Sequence, residues 1–126
     1  MSNVNLSYIL QLVISLGLLN VWLLRFSKST SYRGGTARNM KEEFAVYGLP
    51  AWSVYVIGAL KIAGALALLA GFWLTELIVP AAILVFGLML GASLMHAKVK
   101  DPFSKYVPAL SLLLASALLI YLQLSA

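Results

Sequence analysis

Four long apolar stretches, at 6–26, 54–73, 77–95 and 107–124, constrain this chain more than any motif it contains. Each is close to the roughly 20 residues that a helix needs to cross the hydrocarbon core of a bilayer. A globule of 126 residues, 62% of them hydrophobic and only 10% charged, could not hide its apolar surface from water. The mean hydropathy of +0.95 says the same. The expected fold is therefore all-α: one domain over 1–126, an integral membrane four-helix bundle with a short cytoplasmic interfacial helix at about 40–47. The first stretch is too long for a secretory signal, has no basic residue before it and no small-residue cleavage site after it, so it is expected to remain as a span.

Charge sets the expected orientation. Eight of the nine Lys and Arg residues fall in or beside two connections: Arg25, Lys28, Arg33, Arg38 and Lys41 at the first, and Lys98, Lys100 and Lys105 at the third. The tails and the turn around Glu76 carry none. By the positive-inside rule both termini are expected outside the cytoplasm. The net charge of +5 is thus placed for lipid headgroups, and no nucleic-acid partner is expected.

The first connection opens as a polar, glycine-containing loop and then changes character. In NMKEEFAVYGLP, Asn39 can cap a helix with Glu42 three residues on, Met40, Phe44 and Tyr47 recur at helical spacing, and Gly48 and Pro50 end the segment. The expected element is an amphipathic helix on the membrane face, leading the chain into the second span.

Depth follows from topology. Asn20, Lys61, Ser93 and His96 all fall in the cytoplasmic half, and they are the candidate ligand-binding residues. A lysine near the bilayer centre costs roughly 2.5 to 3.5 kcal/mol on insertion scales. Lys61 either snorkels toward the cytoplasmic face along its own helix, pairs with a partner, or handles a ligand or a proton. His96, beside Lys98 and Lys100, either caps carbonyls at the interface or belongs to a site. The glycine pair Gly87 and Gly91 on the third span, with Gly58 and Gly64 on the second, points to close helix packing. No nucleophile and base stand at recognisable spacing, and Glu42 and Glu43 are neighbours on a surface helix. With no cysteine, one histidine and four carboxylates, no metal centre is expected, and a redox role would need a bound cofactor or a partner.

The run FAVYGLPAWSVYVIGALKIAGALALLAG, followed by GASLMHAKVKDP and a last apolar span, resembles the DoxX-like family of small four-span membrane proteins. The elements shared are the turn Tyr47 to Pro50, Gly58 with Lys61 and Gly64, and Gly91 and Ala92 with His96, Asp101 and Pro102. The resemblance implies relatives in quinone-linked sulfur oxidation, in membrane oxidoreductase complexes or in receptor assembly. The expected role is a non-catalytic subunit or scaffold of a membrane complex, with a quinone or lipid in its cytoplasmic half and lipid, a membrane protein or a second copy as partner. Two alternatives stand: a quinone-linked redox subunit exchanging protons at Lys61 or His96, and an assembly chaperone for other membrane helices.

Overall fold

The computed structural model describes residues 3–24 and 34–125. Arg25, Phe26, Lys28 and Arg33 of the expected first span and connection lie outside the described residues. The chain is an all-α four-helix membrane bundle. Helix α1 covers Asn3–Leu19 and runs into a wider π turn over Asn20–Leu24; α2 is Met40–Val46, α3 Ser53–Ala70, α4 Ile78–Lys98 and α5 Val107–Ser125. Single 3-10 turns over Thr75–Leu77 and Phe103–Tyr106 lead into α4 and α5. Among the described residues four helices, all but α2, are long and apolar enough to cross a membrane.

Local chemistry sets the helix ends. Pro80 and Pro108 sit in the first turns of α4 and α5, where a missing N–H removes no intrahelical bond. Asn39 caps α2 as its spacing suggests: its Oδ1 accepts from the Glu42 N–H at 2.9 Å while its Nδ2 donates to Glu42 Oε2 at 2.9 Å. Gly48, at φ +79°, then turns the chain toward Pro50 in a conformation that few other residues adopt.

The spans are apolar inside and out. Leu16, Leu66, Ile83, Leu94 and Leu114 are each more than half exposed, as lipid-facing positions are. Exposed aromatics gather at both ends: Trp52, Tyr55 and Phe103 beside the long connection, Tyr8, Trp73 and Tyr121 at the other, where aromatic belts meet the membrane surface.

α1 packs between α3 and α5, and α4 closes the ring between the same two helices. Away from the long connection, one core joins all four through Ile14, Leu68, Val85 and Leu119. One polar side chain of α1 is used there too. Gln11 is fully buried and its Nε2 donates to the Leu68 carbonyl at 2.9 Å, in the last turn of α3 where carbonyls lack helical partners. Toward the long connection the bundle divides. Trp22, Met40, Phe44 and Val54 form a second core tying α1, α2 and α3 together, while α4 and α5 stay paired. A cavity lies between the two halves.

The glycines mark this division and correct the expected packing. Gly58 is a notch for Trp22, since an added Cβ would stand 2.6 Å from its Cζ3. Gly64 faces the Val85 side chain across α3 and α4, at 3.4 Å from such a Cβ. Gly87 and Gly91 do not seat a neighbouring helix: nothing lies within 4 Å of an added Cβ at either. They widen the cavity instead.

Candidate functional site

The cavity holds about 900 Å³. Its apolar wall includes Leu18, Val21, Ile57, Leu88 and Met89, and its polar lining is Asn20, Glu43, Tyr47, Lys61, His96, Lys105 and Ser111. Of the four residues expected to bind a ligand, three meet there: Asn20 from the π turn, Lys61 from α3 and His96 from the end of α4. Ser93 does not. Its hydroxyl donates to the Met89 carbonyl at 2.9 Å, the local bond that helical serines make to the preceding turn, and it is absent from the wall.

Lys61 reaches toward the long connection, as the tilt of helical side chains requires, but it stays within the bundle. Its Nζ lies 5.2 Å from the centre of the Trp22 ring, within cation–π range. Trp22 is in turn held by the notch at Gly58 and by an edge contact with Phe44, centroids 6.1 Å apart. The half-buried Lys61 is therefore oriented by packing from α1, α2 and α3 at once.

His96 is not a headgroup-facing interfacial residue. It is 5% exposed, and its Nδ1 stands 2.7 Å from Asp101 Oδ2. The turn after α4 makes this contact possible. Lys100 takes the left-handed conformation at φ +57°, and the Asp101 N–H donates to the His96 carbonyl at 3.0 Å, folding the carboxylate back over the ring. Tyr47 crosses the His96 ring nearly at right angles, with its hydroxyl 3.5 Å from each ring nitrogen, and Tyr106 covers another side. The Tyr47 hydroxyl donates to Glu43 Oε1 at 2.7 Å. A series Asp101, His96, Tyr47, Glu43 thus runs from the α4–α5 connection to the cavity wall. Glu43 is part of this series rather than a bystander on a surface helix.

The same residues close the end of the bundle. Lys98 Nζ donates to the Tyr47 carbonyl at 2.7 Å, Asp101 Oδ1 accepts the Gly35 N–H at 3.0 Å, and Lys105 Nζ donates to the Gly35 carbonyl. The α1–α3 connection is therefore fastened across the α4–α5 connection, with α2 laid over the cavity. Burial alone would raise the Asp101 pKa. The hydrogen bonds from His96 and Gly35 and the charges of His96 and Lys105 outweigh it and hold the carboxyl below its ordinary 3.8.

The family described as DoxX-like matches over residues 10–118. The chain belongs to the DoxX-like family. No curated protein and no solved structure matches it. In this DoxX-like chain the matched segment contains all four spanning helices in whole or large part and every polar residue of the cavity. Among the described residues no group of three His, Cys, Asp or Glu side chains could hold a metal ion.

What the sequence missed is mostly long-range. Tyr47 was visible as one apolar tooth of α2, and its hydroxyl partners were not. Asp101 stood in the family-like run, but only the turn at Lys100 brings it onto His96.

Proposed function

We propose that this DoxX-like protein is a non-catalytic subunit or scaffold of a membrane complex that holds an amphiphile, a lipid or an isoprenoid quinone, in the half of the bundle nearest the long connection. One observation carries this reading: a cavity of about 900 Å³ with an apolar wall and with Asn20, Lys61, Tyr47 and His96 converging on it, the usual makeup of a small-molecule site. A quinone fits these residues. Lys61 and the Asn20 amide offer donors to head-group oxygens, and the α1, α4 and α5 side chains offer an apolar bed for the tail. When bound, a quinone would supply two-electron chemistry coupled to protons, with electrons passing to or from a partner. A phospholipid head offers the same acceptors, so the common class is an amphiphile with a hydrogen-bond-accepting head.

The orientation belongs to the same proposal. Arg38, Lys41, Lys98, Lys100 and Lys105 all lie at the long-connection end, which supports a cytoplasmic position for the cavity, both termini outside and residence in a bacterial-type plasma membrane. A second reading, proton exchange with a bound quinone, is favoured by the series Asp101, His96, Tyr47, Glu43. Gly87 and Gly91, the glycines that an assembly chaperone would present to other helices, line the cavity, and Gly87 is also exposed.

Purification in mild detergent with mass spectrometry of the extracted lipids tests the reading. The wild type should retain one enriched amphiphile class and Lys61→Met should lose it. Equal, unselective lipid in both would reject the site.

A further inference from the structure

The way into the cavity is visible in its wall. Most of the wall is buried or half-buried, but Val13 on α1, Asn20 in the π turn, Gly87 on α4 and Ser111 on α5 are exposed while also lining the cavity. Val13, Gly17 and Asn20 share one face of α1. Gly17 brings that face past Leu112 of α5, whose side chain lies 3.8 Å from where a Cβ on Gly17 would stand, with nothing else close. The helices run antiparallel, so Asn20 falls level with Pro108, and Gly17 with Leu112. Farther along, Ile14 and Leu119 close the two helices into the common core. A slit between α1 and α5 is therefore bounded by Val13 and Asn20 on one lip and Ser111 on the other, with Leu112 resting against Gly17 between them.

The end of the bundle is closed. Tyr47 and Gly35 are fastened to Lys98, Asp101 and Lys105, and Met40, Phe44 and Tyr47 are buried beneath α2. What faces the slit follows from its depth. Residues 13–20 and 108–112 lie within the spanning segments Asn5–Leu23 and Phe103–Ser125, so the slit meets lipid tails rather than water.

We infer that the cavity is loaded sideways from the bilayer through the α1–α5 slit, and that its occupant is a membrane-dissolved amphiphile whose acyl or prenyl tail lies across Gly17 while its head reaches Lys61 and Asn20. This rests on the amphiphile-binding reading and narrows it, excluding solutes that arrive from water. Gly17 is the sill beside which the tail passes: a larger side chain there would press on Leu112, which packs on the main core, whereas Ser111 changes the opposite lip at an exposed position outside that core.

Trp22 is a built-in reporter, being 6% exposed and in the cavity wall, whereas Trp52 and Trp73 are 64% and 82% exposed. The experiment uses the full chain carrying Trp52→Phe and Trp73→Phe, reconstituted in phosphatidylcholine vesicles with brominated acyl chains. Iodide in the aqueous phase is the second quencher. Brominated chains should quench Trp22 strongly and iodide weakly. Gly17→Phe, or Ser111→Phe from the opposite lip, should remove roughly half or more of the bromolipid quenching, since close-packed side chains leave no room for a tail. Lys98→Met should leave it unchanged. Strong iodide quenching, or bromolipid quenching that neither lip variant lowers, would overturn sideways loading. Gly91→Leu separates the two levels of the argument: if it lowers bromolipid quenching while the lip variants do not, the cavity is occupied but entered elsewhere; if none of the three does, no tail enters and the binding reading falls as well.

Discussion

Asp101 is the point at which a single atom change should loosen the closed end of the bundle. Its side chain is 4% exposed, and it accepts from His96 at 2.7 Å and from the Gly35 N–H at 3.0 Å with Lys105 Nζ at 4.0 Å. Asp101→Asn keeps an oxygen for Gly35 but turns charge-assisted bonds into neutral ones, a loss of about 1 to 2 kcal/mol. Asp101→Ala leaves the Gly35 N–H and a buried His96 without their acceptor, and should cost about 3 to 5 kcal/mol. For a chain of this size each kcal/mol corresponds to roughly 4 °C in melting temperature, so Asp101→Asn should melt about 4 to 8 °C lower in mild detergent. The pH dependence has a definite sign. Because the carboxyl titrates below 3.8 in the folded protein, its contribution is complete above that value and disappears as the pH falls through the lowered one. Wild type and Asp101→Asn should therefore differ at neutral pH and converge only below 3.8. An Asp101→Ala variant that melts within about one degree of wild type at neutral pH would refute the reasoning.

Gly58→Leu should destabilise by about 1 to 3 kcal/mol through overpacking against Trp22, with a shifted Trp22 emission as the second readout; unchanged melting and emission would mean the notch is not occupied as described. Gln11→Leu should cost about 1 to 3 kcal/mol, because it leaves the buried Leu68 carbonyl without its donor, and a thermal melt decides it. Lys61→Arg should keep the contact with Trp22 and melt like wild type, whereas Lys61→Met forfeits a cation–π contact of about 0.5 to 2 kcal/mol and the amphiphile with it; equal lipid retention by both variants would leave Lys61 without a binding role.

The spans were legible because lipid imposes an unbroken apolar run of known length, and the cap of α2 because Asn39 and Glu42 interact within one turn. Lys61 illustrates the limit. Its helix, depth and small neighbours could be read in one dimension, but the ring it approaches belongs to Trp22, in the π turn that follows α1 and that the sequence did not announce. Gly87 and Gly91 failed for a different reason. Glycine spacing says that a face is smooth, not whether a helix or an open volume lies against it. His96 and Asp101 are five residues apart, a spacing that an α-helix does not bring together, and the turn that joins them uses Lys100 at φ +57° where glycine would have given a signal.

Native mass spectrometry of the detergent-solubilised chain, wild type beside Gly91→Leu, tests most directly whether the cavity is a binding site. Gly91 faces open space, so leucine fills the cavity without a clash and removes a helix-interior glycine that disfavours the fold by about 1 kcal/mol. The account predicts a single amphiphile-sized adduct on the wild type, absent from Gly91→Leu, with the variant at least as stable to heat. An adduct of equal mass and occupancy on both proteins would contradict it.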